Sequence, residues 1–283
     1  MMRKVTLSSN YLGRIIQVFN DKHWNIADED DASLFSRYCE RIGYLKENDK
    51  KDLILGLTER YLWIQDNAYI EHLISALERF VDSEEVNLNN RGICVLPLVD
   101  PQNKGKPKSS YSVAYDFNNV KLRYNRKLAN YRFEVLSNEN DVVQKINYEN
   151  NVLVLVDDFI GTGETAVKGI NDILSKVADR NRIYVIALVA QNVGIEAIES
   201  LGIRIYADVI RFKGISDYYK DEELIEKINL MEAIERKLAI KRKYRFGYGA
   251  SEALVTMKRT PNNTFPVFWE ENDRANKAPF PRF

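Results

Sequence analysis

The chain has 283 residues, of which 45% are hydrophobic, and this is enough for one large domain or two modest ones. Its 41 lysines and arginines balance 41 aspartates and glutamates, which excludes a strong overall field that would attract nucleic acid or an anionic membrane. Only two cysteines and no apolar run of roughly 20 residues exclude a disulfide framework and a membrane-spanning helix, so we expect a cytoplasmic protein with no membrane partner.

The first part of the chain is predicted to be helical. Residues from about 10 to 82 carry apolar side chains at helical spacing, beginning with Leu12, Ile15 and Phe19. Acidic and small residues precede a later apolar stripe, and negative charge favours a helix N-terminus. We therefore predict an N-terminal helical region over residues 1–87.

The next segment mixes short apolar runs with polar loops. The apolar run 93–99 predicts a strand, and "PQNKGKPKSS" after it predicts a loop. The stretch "YSVAYDF", residues 111–117, predicts another strand. Residues 118–148 are polar, and two interpretations stay open for them: a solvated hairpin or a mobile loop.

A parallel sheet is predicted from residue 151 onward. Apolar runs alternate there with short helical patterns, which indicates a parallel sheet covered by helices on both faces. The α/β core is predicted to span residues 88–215. Residues 216–283 are predicted to form a charged helix and a C-terminal tail that pack on this core.

Two adjacent aspartates, Asp157 and Asp158, follow the apolar run "VLVLV", and a glycine–threonine loop from Gly161 to Thr165 comes next. In a parallel α/β sheet, ligands bind beyond the carboxyl ends of the strands. A helix N-terminus favours an anion, and glycines let the backbone approach it. Carboxylates, in contrast, accept hydrogen bonds from hydroxyl groups. The segment therefore predicts a ligand with hydroxyls at one end and a phosphate at the other, such as ribose 5-phosphate.

Three other kinds of site share parts of this pattern. A P-loop NTPase needs G-x-x-x-x-G-K-[ST], which the sequence lacks. "GTGETA" fits a dinucleotide fingerprint, but Ala190, Gln191 and Asn192 stand where an acidic residue for the ribose is expected. "DDFIGTGET" resembles the methyl-donor segment of nucleic-acid amino-methyltransferases, yet their [DNS]-P-P-[YF] tetrapeptide is missing. A SAM-dependent methyltransferase is therefore kept as a less favoured alternative.

The stretch "VLVLVDDFIGTGET" resembles the phosphoribosyl pyrophosphate (PRPP) signature of type I phosphoribosyltransferases. It departs from the signature at two positions. Phe159 stands where a smaller aliphatic residue is usual, and Gly161 stands where Thr, Ser or Ala is usual. The tail "FGYGASEALVTMKRTPNNTFPVFW" resembles the ending of phosphoribosyltransferase-like proteins of bacterial conflict and defence loci, including some retron systems. The resemblance implies a type I phosphoribosyltransferase-like parallel sheet flanked by helices, with an N-terminal helical region and a C-terminal extension that forms a hood.

The resemblance also implies roles for individual residues. Asp157 and Asp158 are expected to hold the ribose hydroxyls of PRPP. Lys108 and Ser109 are the favoured pyrophosphate ligands. No direct metal ligand is implied, because Mg²⁺ is expected to arrive with PRPP, and Asp157 and Asp158 are candidates to contact it through water. The expected ligands of the 5′-phosphate are Gly161, Thr162, Gly163, Glu164 and Thr165.

The implied function is a pentosyl transfer in which PRPP, bound with Mg²⁺, gives phosphoribosyl to a nitrogen acceptor and releases pyrophosphate. An antiphage defence effector is one setting for this reaction. The alternative is a PRPP- or nucleotide-sensing regulatory or complex-forming module without turnover. We expect a homo-oligomer or a hetero-complex, with a reverse transcriptase–RNA assembly as a candidate partner. No catalytic residue is assigned, and His72 is interpreted as a helix-surface or partly buried residue.

Overall fold

The computed structural model describes residues 7–26, 32–103, 108–138, 140–272 and 277–282, which form two compact units. Within these ranges, no helix is both long and apolar enough to cross a membrane. In chain order, the elements are α1 (Ser9–Asp21), α2 (Leu34–Tyr44), α3 (Asn48–Glu59), β1 (Leu62–Trp63), α4 (Tyr69–Leu88), β2 (Ile93–Pro97), α5 (Ser109–Asp116), α6 (Val120–Tyr124), β3 (Phe133–Val135), α7 (Asn140–Val142), β4 (Val152–Ile160), α8 (Glu164–Leu174), β5 (Ile183–Gln191), α9 (Asn192–Glu199), β6 (Arg204–Arg211), α10 (Asp221–Lys237) and β7 (Val255–Thr256).

The first unit joins residues 1–63 to residues 212–283 around one apolar core. β1 and β7 pair in parallel within it. The ring of Tyr61 stacks on Phe280 with centroids 4.9 Å apart, and its hydroxyl lies 2.7 Å from Thr256 Oγ1. Buried aromatic rings contribute much of the apolar area in a core, and a buried tyrosine hydroxyl needs such a partner. Described residues before position 64 and after position 211 therefore build this unit together.

The second unit, residues 64–211, contains a five-stranded sheet in the order β3-β2-β4-β5-β6, and every neighbouring pair is parallel. Leu153 of β4 packs in one cluster with Ile170 of α8. On the other face, Tyr184 of β5 contacts Phe80 of α4 with ring centroids 5.0 Å apart. Helices therefore cover both faces, which explains the continuous apolar runs of the central strands. The predicted fold class, a parallel α/β sheet flanked by helices, is confirmed.

The strand predicted for residues 111–117 is wrong, because this stretch belongs to helix α5. The buried residues Ser110, Val113 and Ala114 lie three and four positions apart, which is helical spacing. Tyr115, the residue after Ala114, is exposed. A stretch this short fits both a strand and a helix period, so the sequence alone does not separate them. Residues 118–138 and 140–148 contain α6, β3, α7 and a π-helix, and β3 pairs in parallel with β2 rather than forming a hairpin.

Candidate functional site

The two aspartates lie in the last part of β4, which continues for two residues after Asp158. β4 continues to Ile160, with Asp157 in register with Ala187 and Ile160 in register with Ala190 of β5. Only residues 161–163 separate the strand from α8. The acid pair and the helix N-terminus therefore stand at the carboxyl edge of the central strand, where α/β sheets bind ligands.

Asp158 is only 5% exposed, and both of its carboxylate oxygens accept hydrogen bonds from hydroxyl groups. The Tyr69 hydroxyl, at the start of α4, donates to Oδ2 over 3.1 Å. The Ser109 hydroxyl, at the start of α5, donates to Oδ1 over 2.6 Å. The structure thus brings one predicted pyrophosphate ligand, Ser109, to the acid pair. Both oxygens of Asp158 thus accept hydrogen bonds from hydroxyl groups of the protein itself.

Asp157 is half-buried and has a different environment. Its Oδ1 accepts the backbone N–H of Asp158 over 2.9 Å. Burial, and then the negative charge of Asp158, raise the pKa of Asp157 well above its usual range, while the positive charge of Lys108 opposes this rise. Lys108, the N-cap residue of α5, therefore acts electrostatically on the acid pair. Positive charge or hydroxyl donors from a ligand would stabilise the ionised form of Asp157.

The glycine–threonine loop packs tightly against α9. Gly163 is the N-cap of α8 and has φ +80°, a left-handed conformation that favours glycine. A Cβ at Gly163 would lie 2.9 Å from the Ala197 Cβ, and a Cβ at Gly194 would lie 2.3 Å from the carbonyl oxygen of Gly161. Glycines therefore fix this loop at the helix N-terminus, where backbone N–H groups without helical partners favour an anion.

The remaining predicted phosphate ligands differ in exposure. Thr162 is half-buried, while Glu164 and Thr165 are exposed in the first turn of α8. The Glu164 carboxylate lies 2.7 Å from the Lys168 ammonium, and Lys168 Nζ lies 3.8 Å from an oxygen of Asp100. The exposed hydroxyl of Thr165 is accessible to a ligand. The Glu164 side chain faces Lys168, so the backbone N–H of Glu164, rather than its carboxylate, is suited to a phosphate.

The segment between β2 and α5 is described in part. Asp100, which follows β2, accepts the backbone N–H of Gln102 over 2.9 Å. Lys104 and Lys106, two further lysines of the predicted pyrophosphate loop, lie outside the described residues. Ser110 buries its Oγ, and no hydrogen-bond partner is found for this atom in the described part of the chain. Ser109, which contacts Asp158, and Lys108, whose charge acts on Asp157, thus relate this segment to the acid pair.

Sequence reasoning missed the role of α4 at this site. Tyr69 is separated from Asp158 by 89 positions, and neither residue's neighbours in the sequence indicate the contact. The motif "YIEH" does place Tyr69 and His72 on one helical face, because residues three apart are neighbours on a helix. This spacing is the one signal in the sequence that points to a shared role for these two residues.

The parallel sheet and the acid–glycine segment at the end of its central strand define a phosphoribosyltransferase-like protein. The chain belongs to the PRTase-CE family of phosphoribosyltransferase-like proteins of conflict systems, whose model matches residues 23–282. This match favours a phosphoribosyltransferase-like site over the methyltransferase alternative.

Among solved structures, the chain is similar to the orotate phosphoribosyltransferase of Mycobacterium tuberculosis H37Rv in complex with inorganic phosphate. The identity is 14%, the TM-score is 0.28, and the match covers 50% of this chain and 74% of that chain. The comparison with curated proteins found no significant match.

Proposed function

We propose that the protein binds PRPP at the carboxyl end of β4 and transfers its phosphoribosyl group to a nitrogen acceptor, with release of pyrophosphate. The observation that supports this most is the environment of Asp158. Its carboxylate accepts hydrogen bonds from two hydroxyl groups, and α8 begins six residues later at Glu164. A ribose 5-phosphate presents hydroxyls and a phosphate a few ångströms apart, and so matches both features.

In this proposal the acid pair holds the ribose. A carboxylate offers roughly four acceptor positions, so Asp158 can accept ribose hydroxyls beside, or in place of, those of Tyr69 and Ser109. Asp157 supplies further acceptor positions at the same edge of the sheet. The backbone of residues 161–165 and the hydroxyls of Thr162 and Thr165 hold the 5′-phosphate.

Lys108 and Ser109 are proposed to bind the pyrophosphate. Lys108 already influences the charge of Asp157, and Ser109 can rotate from Asp158 to a phosphate oxygen. In this proposal Mg²⁺ would be carried by the phosphates of PRPP and would supply positive charge to them.

Transfer requires that the bond between the ribose C1 and the pyrophosphate oxygen breaks while a nitrogen attacks C1. The residues of the acid pair and the phosphate loop contribute by fixing the ribose and its 5′-phosphate. Lys108 and the backbone N–H groups at the start of α5 stabilise the negative charge that develops on the pyrophosphate leaving group. The reaction thus depends on positioning and charge rather than on a protein nucleophile.

The test is calorimetric titration of Mg–PRPP into the wild type and into the double variant Asp157→Asn with Asp158→Asn. We expect the double variant to lose Mg–PRPP binding while its circular dichroism and cooperative unfolding persist. The exposed pair Asp21→Asn with Asp49→Asn is the matched control and should bind as the wild type does. Equal affinity in the wild type and the Asp157/Asp158 variant would disprove the site assignment.

A PRPP-sensing module without turnover is the second candidate, and one observation favours it. Both oxygens of Asp158 are engaged by residues of α4 and α5, so ligand binding can change how these helices are held. Pyrophosphate release from Mg–PRPP with a mixture of nucleobases, amino acids and amines separates the two functions. Binding without release supports the sensor, and release supports the transferase.

The family membership supports a role in defence against phage. We propose that the protein acts there as an effector held by a partner such as a reverse transcriptase–RNA assembly. Metabolite profiles of infected cells that express the wild type or the Asp157/Asp158 variant test this role. The proposal requires metabolite changes and phage protection that the wild type gives and the variant does not.

A further inference from the structure

A second carboxylate, Asp208 of β6, is held by the same helix that reaches Asp158. His72 Nδ1 lies 2.5 Å from Asp208 Oδ2, and the Ser75 hydroxyl donates to Asp208 Oδ1. Arg79 extends the group, with its Nη2 3.6 Å from Asp208 Oδ1 and its Nη1 donating to the backbone carbonyl of Ala207. α4 therefore contacts one aspartate of the sheet through Tyr69 and another through His72.

The strand register places these two aspartates at the same height in the sheet. Asp157 pairs with Ala187, which in turn pairs with Ala207. Because the register is constant along both pairs, Asp158 and Asp208 lie level, two strands apart, and about 10 Å separates their backbones. His72 lies one helical turn from Tyr69, the residue whose hydroxyl contacts Asp158. The imidazole therefore lies on the side of the sheet that carries the Asp158 carboxylate, one helical turn from the contact of Tyr69 with that carboxylate.

The hydrogen bond to Asp208 determines which nitrogen of His72 is available. When a neutral imidazole donates its Nδ1–H to a carboxylate, the lone pair is on Nε2. The His72 side chain is 24% exposed, and no partner is found for Nε2 among the described residues. Asp208 is itself held by Ser75 and Arg79, so the carboxylate that contacts Nδ1 of the ring has a defined position.

We propose that His72 is the proton acceptor of phosphoribosyl transfer and that Asp208 positions it. This inference rests on the proposed function. The attacking nitrogen forms a bond to the ribose C1, and the bond from C1 to the pyrophosphate oxygen breaks with its electron pair leaving on pyrophosphate. The proton of the attacking nitrogen passes to Nε2 of His72. The acceptor is therefore an N–H compound, such as a nucleobase ring N–H, an amide or an amine, and not a pyridine-type nitrogen without a proton.

The chain has only two histidines, His23 and His72, so nitrogen NMR of labelled imidazoles tests the proposal without knowledge of the acceptor. His23→Asn assigns the signals and serves as the control. We expect the free wild type to show His72 with its proton on Nδ1. We also expect Mg–PRPP to shift the His72 signals and to leave those of His23 in place. In Asp208→Asn, the preference for the Nδ1–H form should be lost.

Binding and turnover then distinguish this inference from the function on which it rests. His72→Gln should keep Mg–PRPP affinity and lose pyrophosphate release with N–H acceptors by about 100-fold or more. If the wild type does not bind Mg–PRPP, the proposed function fails, and this inference fails with it. If Mg–PRPP binds but the His72 signals do not respond, or if His72→Gln turns over normally, only the role of His72 is overturned.

Discussion

Gly163 shows how a single residue fixes the geometry of the candidate site. Its φ of +80° and its distance to α9 leave no room for a side chain. A larger residue would move the backbone N–H groups at the start of α8, which the proposed 5′-phosphate needs. The residues beside it, Thr162 and Thr165, depend on this turn for their positions.

Gly163→Ala is predicted to lower the free energy of unfolding by about 1–2 kcal/mol, because alanine is strained in the left-handed region. Its Cβ would also press on the Ala197 Cβ, and Mg–PRPP binding should weaken. The control is Gly56→Ala in α3, where no atom lies within 4 Å of an added Cβ. Chemical unfolding should show that Gly56→Ala raises the free energy of unfolding by about 0.5–1 kcal/mol. Equal stability of the Gly163 variant and the wild type would contradict this account of the loop.

Glu235 of α10 is a buried residue whose ionisation should affect stability. Its Oε1 accepts the backbone N–H of Phe246 over 2.8 Å, and no partner is found for Oε2 among the described residues. Burial raises the pKa of Glu235 from 4.5 to about 8. The folded state therefore holds a proton that the unfolded state releases. Its contribution to stability is complete below about pH 4.5 and is lost as the pH rises through about 8.

Glu235→Gln replaces the protonated acid by a neutral amide and should remove this pH dependence. The measurement is the free energy of unfolding of both proteins in urea at about pH 5 and about pH 8. This interval covers most of the range between the pKa of Glu235 in the unfolded state and its pKa in the folded state. We expect the wild type to lose more stability than the variant over this interval. Parallel changes in the two proteins would mean that Glu235 is ionised in the folded state throughout.

At the scale of elements, α4 is attached to the sheet along its length by polar contacts. Tyr69 and His72 contact Asp158 and Asp208 near its start. Near its end, the carboxylate of Glu84 is 1% exposed and accepts from several donors. These donors are the Tyr184 hydroxyl at 3.2 Å, the Asn87 amide at 2.7 Å, the Arg204 guanidinium at 2.6 Å and the Tyr206 hydroxyl. The helix that carries candidate site residues at one end is thus anchored at the other.

Glu84→Gln is predicted to lower the free energy of unfolding by about 2–3 kcal/mol, because buried hydrogen bonds to a charged group are lost and donors are left unsatisfied. Glu85→Gln, the neighbouring exposed residue, is the control and should change stability little. Hydrogen exchange of the α4 amides should increase in the Glu84 variant. Wild-type stability in that variant would show that apolar packing alone holds α4 on the sheet.

The elements differ in how well the sequence predicted them. β4, β5 and β6 have long apolar runs, because strands of a covered parallel sheet are buried on both faces, and they were predicted correctly. α5 was predicted as a strand, because its few residues fit two periods. The sequence placed α4 in the N-terminal helical region, yet its contacts lie within the second unit. Helical periodicity indicates that a helix exists, but not which sheet it covers.

At the scale of the whole molecule, the acid pair and the glycine–threonine loop could be recognised as a candidate site because they are contiguous in sequence. The contacts of Tyr69 with Asp158 and of His72 with Asp208 join residues 89 and 136 positions apart. No local pattern specifies such pairs, because they arise when α4 packs on the sheet. The predicted boundaries at residues 87 and 215, and the hood formed by the C-terminal extension, stay predictions. The family match to residues 23–282 spans both compact units.

The central claim is that one ligand, PRPP, uses the acids of β4 for its ribose and the N-terminus of α8 for its 5′-phosphate. The most direct measurement is a crystal structure of the protein with Mg–PRPP. We predict ribose hydroxyls within hydrogen-bond distance of the Asp157 and Asp158 carboxylates, and the 5′-phosphate on the backbone N–H groups of residues 161–165. Density for PRPP at another place, or with its pyrophosphate on the 161–165 loop, would contradict the account.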